Sequence, residues 1–176
     1  YCYNVNEKKW TNYLHDENNP RSLPYDKVLS IFEDSHRQIW LTTQGGGFCK
    51  FHPETETFTS YDSRNGLPND VVYQIVEDKE GLMWLTTNNG LVSFQPATGA
   101  MKVYTTANGL LGEQFNYRSS FETEDGTIYL GSIDGFVAFN PKNFSENKSL
   151  PSIVITDFLL FGKEVYPGDP SSPLKN

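Results

Sequence analysis

His15, His36 and His52 are the chain's three histidines, so any imidazole chemistry must use them. They stand 21 and 16 residues apart and fit no compact zinc spacing. They also fall at different positions of the repeat described below, so no ring of imidazoles is implied. No Gly-x-Ser-x-Gly elbow occurs, and no Ser/His/Asp triad can be assembled from the spacing. Carboxylates are plentiful but lie mostly in turns. A glycosidase pair needs two carboxyls about 5–10 Å apart, which spacing along a chain does not determine. Asp78-Lys79-Glu80-Gly81 has too few alternating oxygen donors for a calcium loop and reads as a hairpin turn. No metal and no cofactor is expected, and the segment is not expected to be an enzyme.

The remaining chemistry is polar recognition. Asn, Gln, Asp, Glu, Arg and Tyr cluster in three loop stretches, residues 61–70, 88–90 and 108–118. The candidate ligand contacts there are Arg64, Asn69, Asp70, Asn88, Glu113, Gln114, Asn116, Tyr117 and Arg118. Amides, carboxylates, an aromatic face and arginines suit sugar hydroxyls and uronate or sulfate groups. The plainer reading stands beside this one. Asn-Gly at 65–66, 89–90 and 108–109 forms turns, and Asp70 can simply anchor a loop.

These loops must be held by something rigid, and the sequence shows what. Leu67-Pro68-Asn69-Asp70-Val71 echoes Leu23-Pro24-Tyr25-Asp26-Lys27-Val28. Glu77-Asp78 echoes Glu33-Asp34, and Met83-Trp84-Leu85-Thr86-Thr87 echoes Ile39-Trp40-Leu41-Thr42-Thr43. Phe94-Gln95-Pro96 echoes Phe51-His52-Pro53, and Tyr104 echoes Tyr61. A looser copy runs through Gly109-Leu110, Glu124-Asp125-Gly126, Ile128-Tyr129-Leu130 and Phe139-Asn140-Pro141. The step from Trp40 to Trp84 is 44 residues, and from Trp84 to Tyr129 it is 45. Tyr3, Trp10 and Tyr13 match Phe51, Phe58 and Tyr61, so the pattern is already running at Tyr1 and a longer parent protein is expected.

Each unit divides into four short strands. In the middle unit they are expected near residues 71–76, 82–87, 91–95 and 101–104, with Gly, Asn and Pro turns between them. Four antiparallel strands at this period indicate a propeller blade, and no run has the 3.6-residue spacing of a helical solenoid. Aromatics at 14% of residues agree with an all-β chain. The fold expected is all-β: a partial β-propeller of about three and a half four-stranded blades, plus the first strand of a β-sandwich. The blades span 1–144, divided into a half blade 1–18 and blades 19–62, 63–105 and 106–144; a linker 145–151 and the sandwich start 152–176 follow. Trp40, Trp84 and Tyr129 are expected to pack between blades. About three blades do not close a ring, so self-association over the open faces is expected. Cys2 and Cys49 are one position out of step in the repeat, so two small buried hydrophobes are expected rather than a disulfide. The formal net charge of −8 argues against nucleic acid as a partner.

These units resemble the two-component regulator propeller repeat, on Gly66-Leu67-Pro68-Asn69, Glu77-Asp78, Gly81-Leu82-Met83-Trp84-Leu85-Thr86-Thr87 and Asn89-Gly90-Leu91. Asn108-Gly109-Leu110, Gln114-Phe115-Asn116 and Ile133-Asp134-Gly135-Phe136 resemble that family's closing blade. Ile155-Thr156-Asp157-Phe158, in the apolar run 151–161, resembles the start of a Y_Y_Y sandwich domain. The resemblance implies a periplasmic sensor region of a hybrid two-component histidine kinase of Bacteroides type, anchored in the inner membrane. It implies oligosaccharides as ligands, and the missing blades and the Y_Y_Y domain as structural partners. Two other readings stay open: a carbohydrate-active propeller enzyme such as a lyase or sialidase-like hydrolase, suggested by the Asp125-Gly126 turn, and a protein-interaction scaffold.

Overall fold

The computed structural model describes residues 1–143, 159–160 and 163–164. The chain divides into two units, Tyr1–Phe144 and Ser145–Asn176. The first opens with a hairpin, β1 (Cys2–Asn4) with β2 (Lys9–Thr11). Blade I follows with β3 (Val28–Glu33), β4 (Ile39–Thr43), β5 (Phe48–His52) and β6 (Thr57–Tyr61). Blade II is β7 (Val72–Glu77), β8 (Met83–Thr87), β9 (Leu91–Gln95) and β10 (Ala100–Tyr104). Blade III is β11 (Phe115–Glu122), β12 (Ile128–Ser132) and β13 (Gly135–Phe139). Blades I and II are four-stranded antiparallel meanders, as the repeat requires. Blade III differs from the expected four, with three strands among the described residues.

In the second unit, β14 (Leu159–Leu160) pairs antiparallel with β15 (Lys163–Glu164). The apolar run at 159–160 therefore finds a partner in the residues just after it. The rest of the expected sandwich strand lies outside the described residues.

One device repeats at the outer turn of blades I and II. The Trp84 Nε1–H donates to Asp78 Oδ2 at 2.9 Å, while Asp78 Oδ1 accepts from the Glu80 and Leu82 amides, each at 3.0 Å. In blade I, Trp40 donates to Asp34 Oδ2 at 2.8 Å, and Asp34 Oδ1 accepts from His36 and Gln38 at 2.9 and 2.8 Å. Both carboxylates and both indoles are buried. The aspartate satisfies the turn's amides and the indole together, so no polar group at the junction is left dry and unpaired.

The indoles then close the blade-to-blade junctions. Trp40 meets Phe94 of blade II edge-on at 5.6 Å, and Trp84 meets Phe139 of blade III edge-on at 4.7 Å. Tyr13 and Tyr61 repeat a second contact, 5.2 Å from Phe51 and 4.9 Å from Phe94. Burying rings of this size supplies on the order of 2–3 kcal/mol each.

Tyr129 corrects the expectation of a third buried ring. It occupies the position of Trp84 in the register but is 38% exposed. Its neighbours Phe121 and Phe136 are exposed as well. The reason is positional: Trp40 and Trp84 are covered by the following blade, and within the first unit blade III is the last sheet. The aspartate has changed with the indole. Thr123 holds the turn instead, its Oγ1 accepting from the Thr127 amide at 3.1 Å. Tyrosine at 129 carries no indole N–H, so no carboxylate is needed.

Both cysteines are free. Cys49 is buried, and its burial pushes the thiol up to about 12. Cys2 is exposed, contrary to the expectation of two buried cysteines, because the face of β1 that carries it is open.

Trp84→Phe removes the donor to Asp78 and leaves a buried carboxylate oxygen without it. The expected loss is about 2–4 kcal/mol in urea unfolding. Tyr129→Phe, on the open face, is expected to change stability by less than about 0.5 kcal/mol.

Candidate functional site

The loops that join blades, and the middle hairpin of each blade, meet through backbone hydrogen bonds. Gly47 N–H donates to Asp70 O at 2.8 Å, and Gly90 N–H donates to Glu113 O at 2.6 Å. With the Asn88 amide donating to Val71 O at 3.2 Å, this places the stretches 61–70, 88–90 and 108–118 on one side of the blades.

The structure sorts the nine candidate residues into three groups. Asp70 and Glu113 are loop anchors. Asp70 accepts from the Ser63 amide at 2.7 Å and the Ser63 hydroxyl at 3.1 Å. Glu113 accepts from the Thr106 amide and hydroxyl, each at 2.9 Å. Asp26 holds the His15 amide at 2.6 Å in the same way. Each anchors the short turn that leads from one blade to the next. The backbone and hydroxyl donors of Thr106 hold the Glu113 carboxyl below its ordinary range.

Arg64 and Asn69 are also engaged locally. Arg64 Nε donates to Asp62 Oδ2 at 3.0 Å, and Asn69 Oδ1 accepts from the Val71 amide at 2.8 Å. The Arg64 guanidinium holds the Asp62 carboxyl low. Asp62 and Thr105 cap 3₁₀ turns that end on Gly66 and Gly109 at positive φ, and Asn65 and Asn108 accept from the cap amides through Oδ1, so these Asn-Gly pairs are turn formers.

Asn88, Gln114, Asn116, Tyr117 and Arg118 form the third group, gathered where blades II and III meet. Tyr73 of β7 ties them together. Its hydroxyl donates to Asn88 Oδ1 at 2.8 Å, and its ring meets Tyr117 edge-on at 4.6 Å. Burial and then the Tyr117 phenol push the Tyr73 phenol above its ordinary value, while a hydrogen bond with Gln114 opposes them. Asn116 Nδ2 donates to Ser132 O at 2.8 Å and pins the strand from behind. Tyr117 is 52% exposed, and Arg118 is exposed beside it.

An insertion makes this group. In blade II, Val72 pairs with Thr87 and Gln74 with Thr86, so one residue, Tyr73, is bulged. In blade I, Leu29 is the single bulged residue. In blade III, Phe115 pairs with Ser132 and Ser120 with Leu130, and Ser119 lies against Gly131. Three residues, Asn116, Tyr117 and Arg118, therefore stand where the other blades have one. Arg118 takes φ 50 inside a strand, a conformation side chains other than glycine rarely adopt.

The insertion also changes the junction behind it. In blade I, Thr42 Oγ1 is 2.8 Å from Ser30 Oγ and reaches across to donate to Tyr73 O at 3.3 Å. Their counterparts in blade II, Thr86 Oγ1 and Gln74 Nε2, are buried without a hydrogen-bond partner. The regular contact across the junction is lost where β11 bulges.

The sequence alone did not reveal the insertion, because the repeat length hides it. Phe115 to Tyr129 is 14 residues where Val72 to Trp84 is 12, but the middle hairpin of blade II is one residue shorter than that of blade I. The net change is a single residue. Nor did the spacing identify a cleft of about 500 Å³ lined by His15, Asp16, Glu17, Gly45, Gly46 and Asp62 among others. The longer hairpin Gln44-Gly45-Gly46-Gly47, against Asn88-Asn89-Gly90, is the signal that could have found it. Among the described residues no group of three or more His, Cys, Asp and Glu is placed to hold a metal ion.

The sequence pattern of the two component regulator propeller matches residues 66–89. Histidine kinase P4 of Formosa agariphila is 34% identical over 139 residues, covering 78% of this chain and 10% of that protein. The chain thus spans about a tenth of the length of this relative. The extracellular domain of the one component system BT4673 of B. thetaiotaomicron superposes with a TM-score of 0.62 at 22% identity, over 84% of this chain and 21% of that one. PorZ, a surface component of the type-IX secretion system of Porphyromonas gingivalis, superposes with a TM-score of 0.58 at 15% identity, over 75% of this chain and 20% of that one. The two superpositions support the propeller-blade fold.

Because Glu113 is held below its ordinary value when folded, its anchoring is complete above about pH 4.5 and is lost as pH falls through the lowered value. Thr106→Val removes the hydroxyl donor. The Glu113 carboxyl, followed by NMR titration, is expected to move back toward its ordinary midpoint of 4.5. Taken together, the chain carries the repeat of the two component regulator propeller at residues 66–89, on antiparallel blades, and is similar over 139 residues to a stretch of a histidine kinase.

Proposed function

We propose that this segment belongs to the periplasmic sensor region of a hybrid two-component histidine kinase anchored in the inner membrane. In this reading it binds a glycan-derived oligosaccharide and relays the signal through a following Y_Y_Y domain. The observation that carries the reading is the three-residue bulge in β11. It sets Tyr117 and Arg118 into solvent beside Tyr73, Asn88 and Gln114, in a blade whose other turns follow the repeat.

The chemistry suits a sugar. An exposed phenol offers a flat face for a pyranose ring, and Asn88 and Gln114 offer amides for hydroxyls. Arg118 enters no ion pair among the described residues and supplies a fork for a uronate carboxylate or a sulfate. Blades hold this group from both sides, so its geometry is set before a ligand arrives.

The similarity to Histidine kinase P4 and the propeller pattern support the kinase context. The enzyme and scaffold readings have no comparable observation here. The Asp125 turn, which suggested a hydrolase, is engaged in its own hairpin. Asp125 accepts from the Thr127 amide at 3.1 Å and from the Thr127 hydroxyl at 3.2 Å.

Calorimetry of the intact sensor region against uronate-bearing and neutral oligosaccharides tests the proposal. Tyr117→Ala is expected to weaken binding at least tenfold for both classes. Arg118→Ala is expected to weaken the anionic ligands selectively. Unchanged affinity in both variants would remove the site from the account.

A further inference from the structure

The β11 bulge has unfinished contacts on the side toward blade II. In blade I the Thr42 hydroxyl accepts the Ser30 amide at 3.0 Å and donates across the junction to Tyr73 O at 3.3 Å. That carbonyl belongs to the bulged residue of β7, so one hydroxyl ties two blades at the bulge. β11 packs on β7 and β8, and by the repeat Thr86 and Gln74, the counterparts of Thr42 and Ser30, stand toward the β11 bulge. Thr86 is fully buried and Gln74 is 6% exposed, yet Thr86 Oγ1 and Gln74 Nε2 meet no partner. Two buried donors on one face cost stability as long as no acceptor reaches them.

The acceptor that would complete the contact is held elsewhere. Tyr117 O accepts from the Ser119 hydroxyl at 2.9 Å, and the next residue, Arg118, takes φ 50. Both features belong to one peptide plane, which sets the direction of Tyr117 O and the φ of Arg118 together. Turning that plane over by a half-turn reverses the carbonyl and carries the φ of Arg118 to about −130, in the extended region. The same movement relieves the backbone and frees a carbonyl with two lone pairs, enough for both Thr86 and Gln74.

We propose that the β11 bulge is a two-position strap that switches by flipping the Tyr117–Arg118 peptide. In the outward position, the one in this structure, Ser119 latches Tyr117 O, and Tyr117 and Arg118 stand in solvent. In the inward position Tyr117 O accepts from Thr86 Oγ1 and Gln74 Nε2, and blade III gains the tie that Thr42 gives blade II. The outward position keeps the Ser119 bond and the contact of Tyr117 with Tyr73, while the inward one gains the buried donors and an unstrained Arg118. The gains oppose one another, so both positions are populated. A ligand seated against the outward arrangement holds the strap there. This last consequence rests on the sugar-site reading above; the strap itself does not.

NMR relaxation dispersion at the Arg118 and Ser119 amides of the chain, without ligand, reads exchange between the two positions on the μs–ms scale. Ser119→Ala removes the outward latch and is expected to raise the inward share about fivefold, the effect of one ordinary hydrogen bond, with dispersion at both amides. Thr86→Val with Gln74→Met, added to Ser119→Ala, removes both inward donors and is expected to flatten that dispersion. The same pair without Ser119→Ala is expected to leave the thermal midpoint equal or higher, since no bond of the outward position is lost. Thr42→Val, which strands the Ser30 amide and hydroxyl, is expected to lower it. Flat dispersion in Ser119→Ala, dispersion that survives the loss of Thr86 and Gln74, or a midpoint that falls with that pair as it does with Thr42→Val would overturn the proposal. With no ligand present, this result is separate from the calorimetry of the Tyr117 and Arg118 variants: the strap can fail while the site binds, and the site can fail while the strap moves.

Discussion

A buried aspartate that accepts from an indole six residues further on is the interaction that the blades depend on. It solves two problems with one side chain. A tight turn between β3 and β4, or between β7 and β8, leaves amides pointing inward. A tryptophan packed between sheets carries a polar N–H into an apolar junction. The carboxylate meets both demands, and the indole is then free to present its edge and face to the next blade. Remove the carboxylate and the turn loosens; remove the indole and the carboxylate is stranded. The junction aromatics, Phe94 against Trp40 and Phe139 against Trp84, are aligned by this fixed point.

Blade III shows the same logic by its exception. Thr123 replaces the aspartate and Tyr129 the tryptophan, so both partners change together. The ring moves from a buried junction to an open apolar face with Phe121 and Phe136. Function, in this account, is found where the repeat is broken rather than where it is kept. The longer bulge of β11 is a departure from an otherwise regular plan. It sits on the side where loops from neighbouring blades converge.

Much of this was legible in the chain itself. The paired echoes around Trp40 and Trp84 placed the strands to within about one residue, and the Asn-Gly pairs at 65–66 and 108–109 marked real turns. The plain reading of Asp70 as an anchor agrees with its hydrogen bonds to Ser63, and Glu113 plays the same part. What the chain concealed has physical causes. Tyr129 matches the tryptophans by position, but burial depends on a neighbouring sheet, which a position in a repeat does not report. Asp34 and Trp40 were visible as separate repeated residues, while their hydrogen bond is a fact of three-dimensional geometry. The two-residue excess in β11 was masked by a one-residue deficit in the preceding hairpin. Repeat length is a poor guide when gains and losses offset one another.

The central claim is that blade III follows the common framework and that its extra residues serve recognition. Deleting Tyr117 and Arg118 together restores the single-residue bulge of blades I and II, with Asn116 in the place of Tyr73. The measurement is oligosaccharide affinity of the intact sensor region, paired with its thermal midpoint. The account predicts a folded protein with a midpoint equal to or above the parent's and with binding lost. Retained binding, or collapse of the fold, would contradict it.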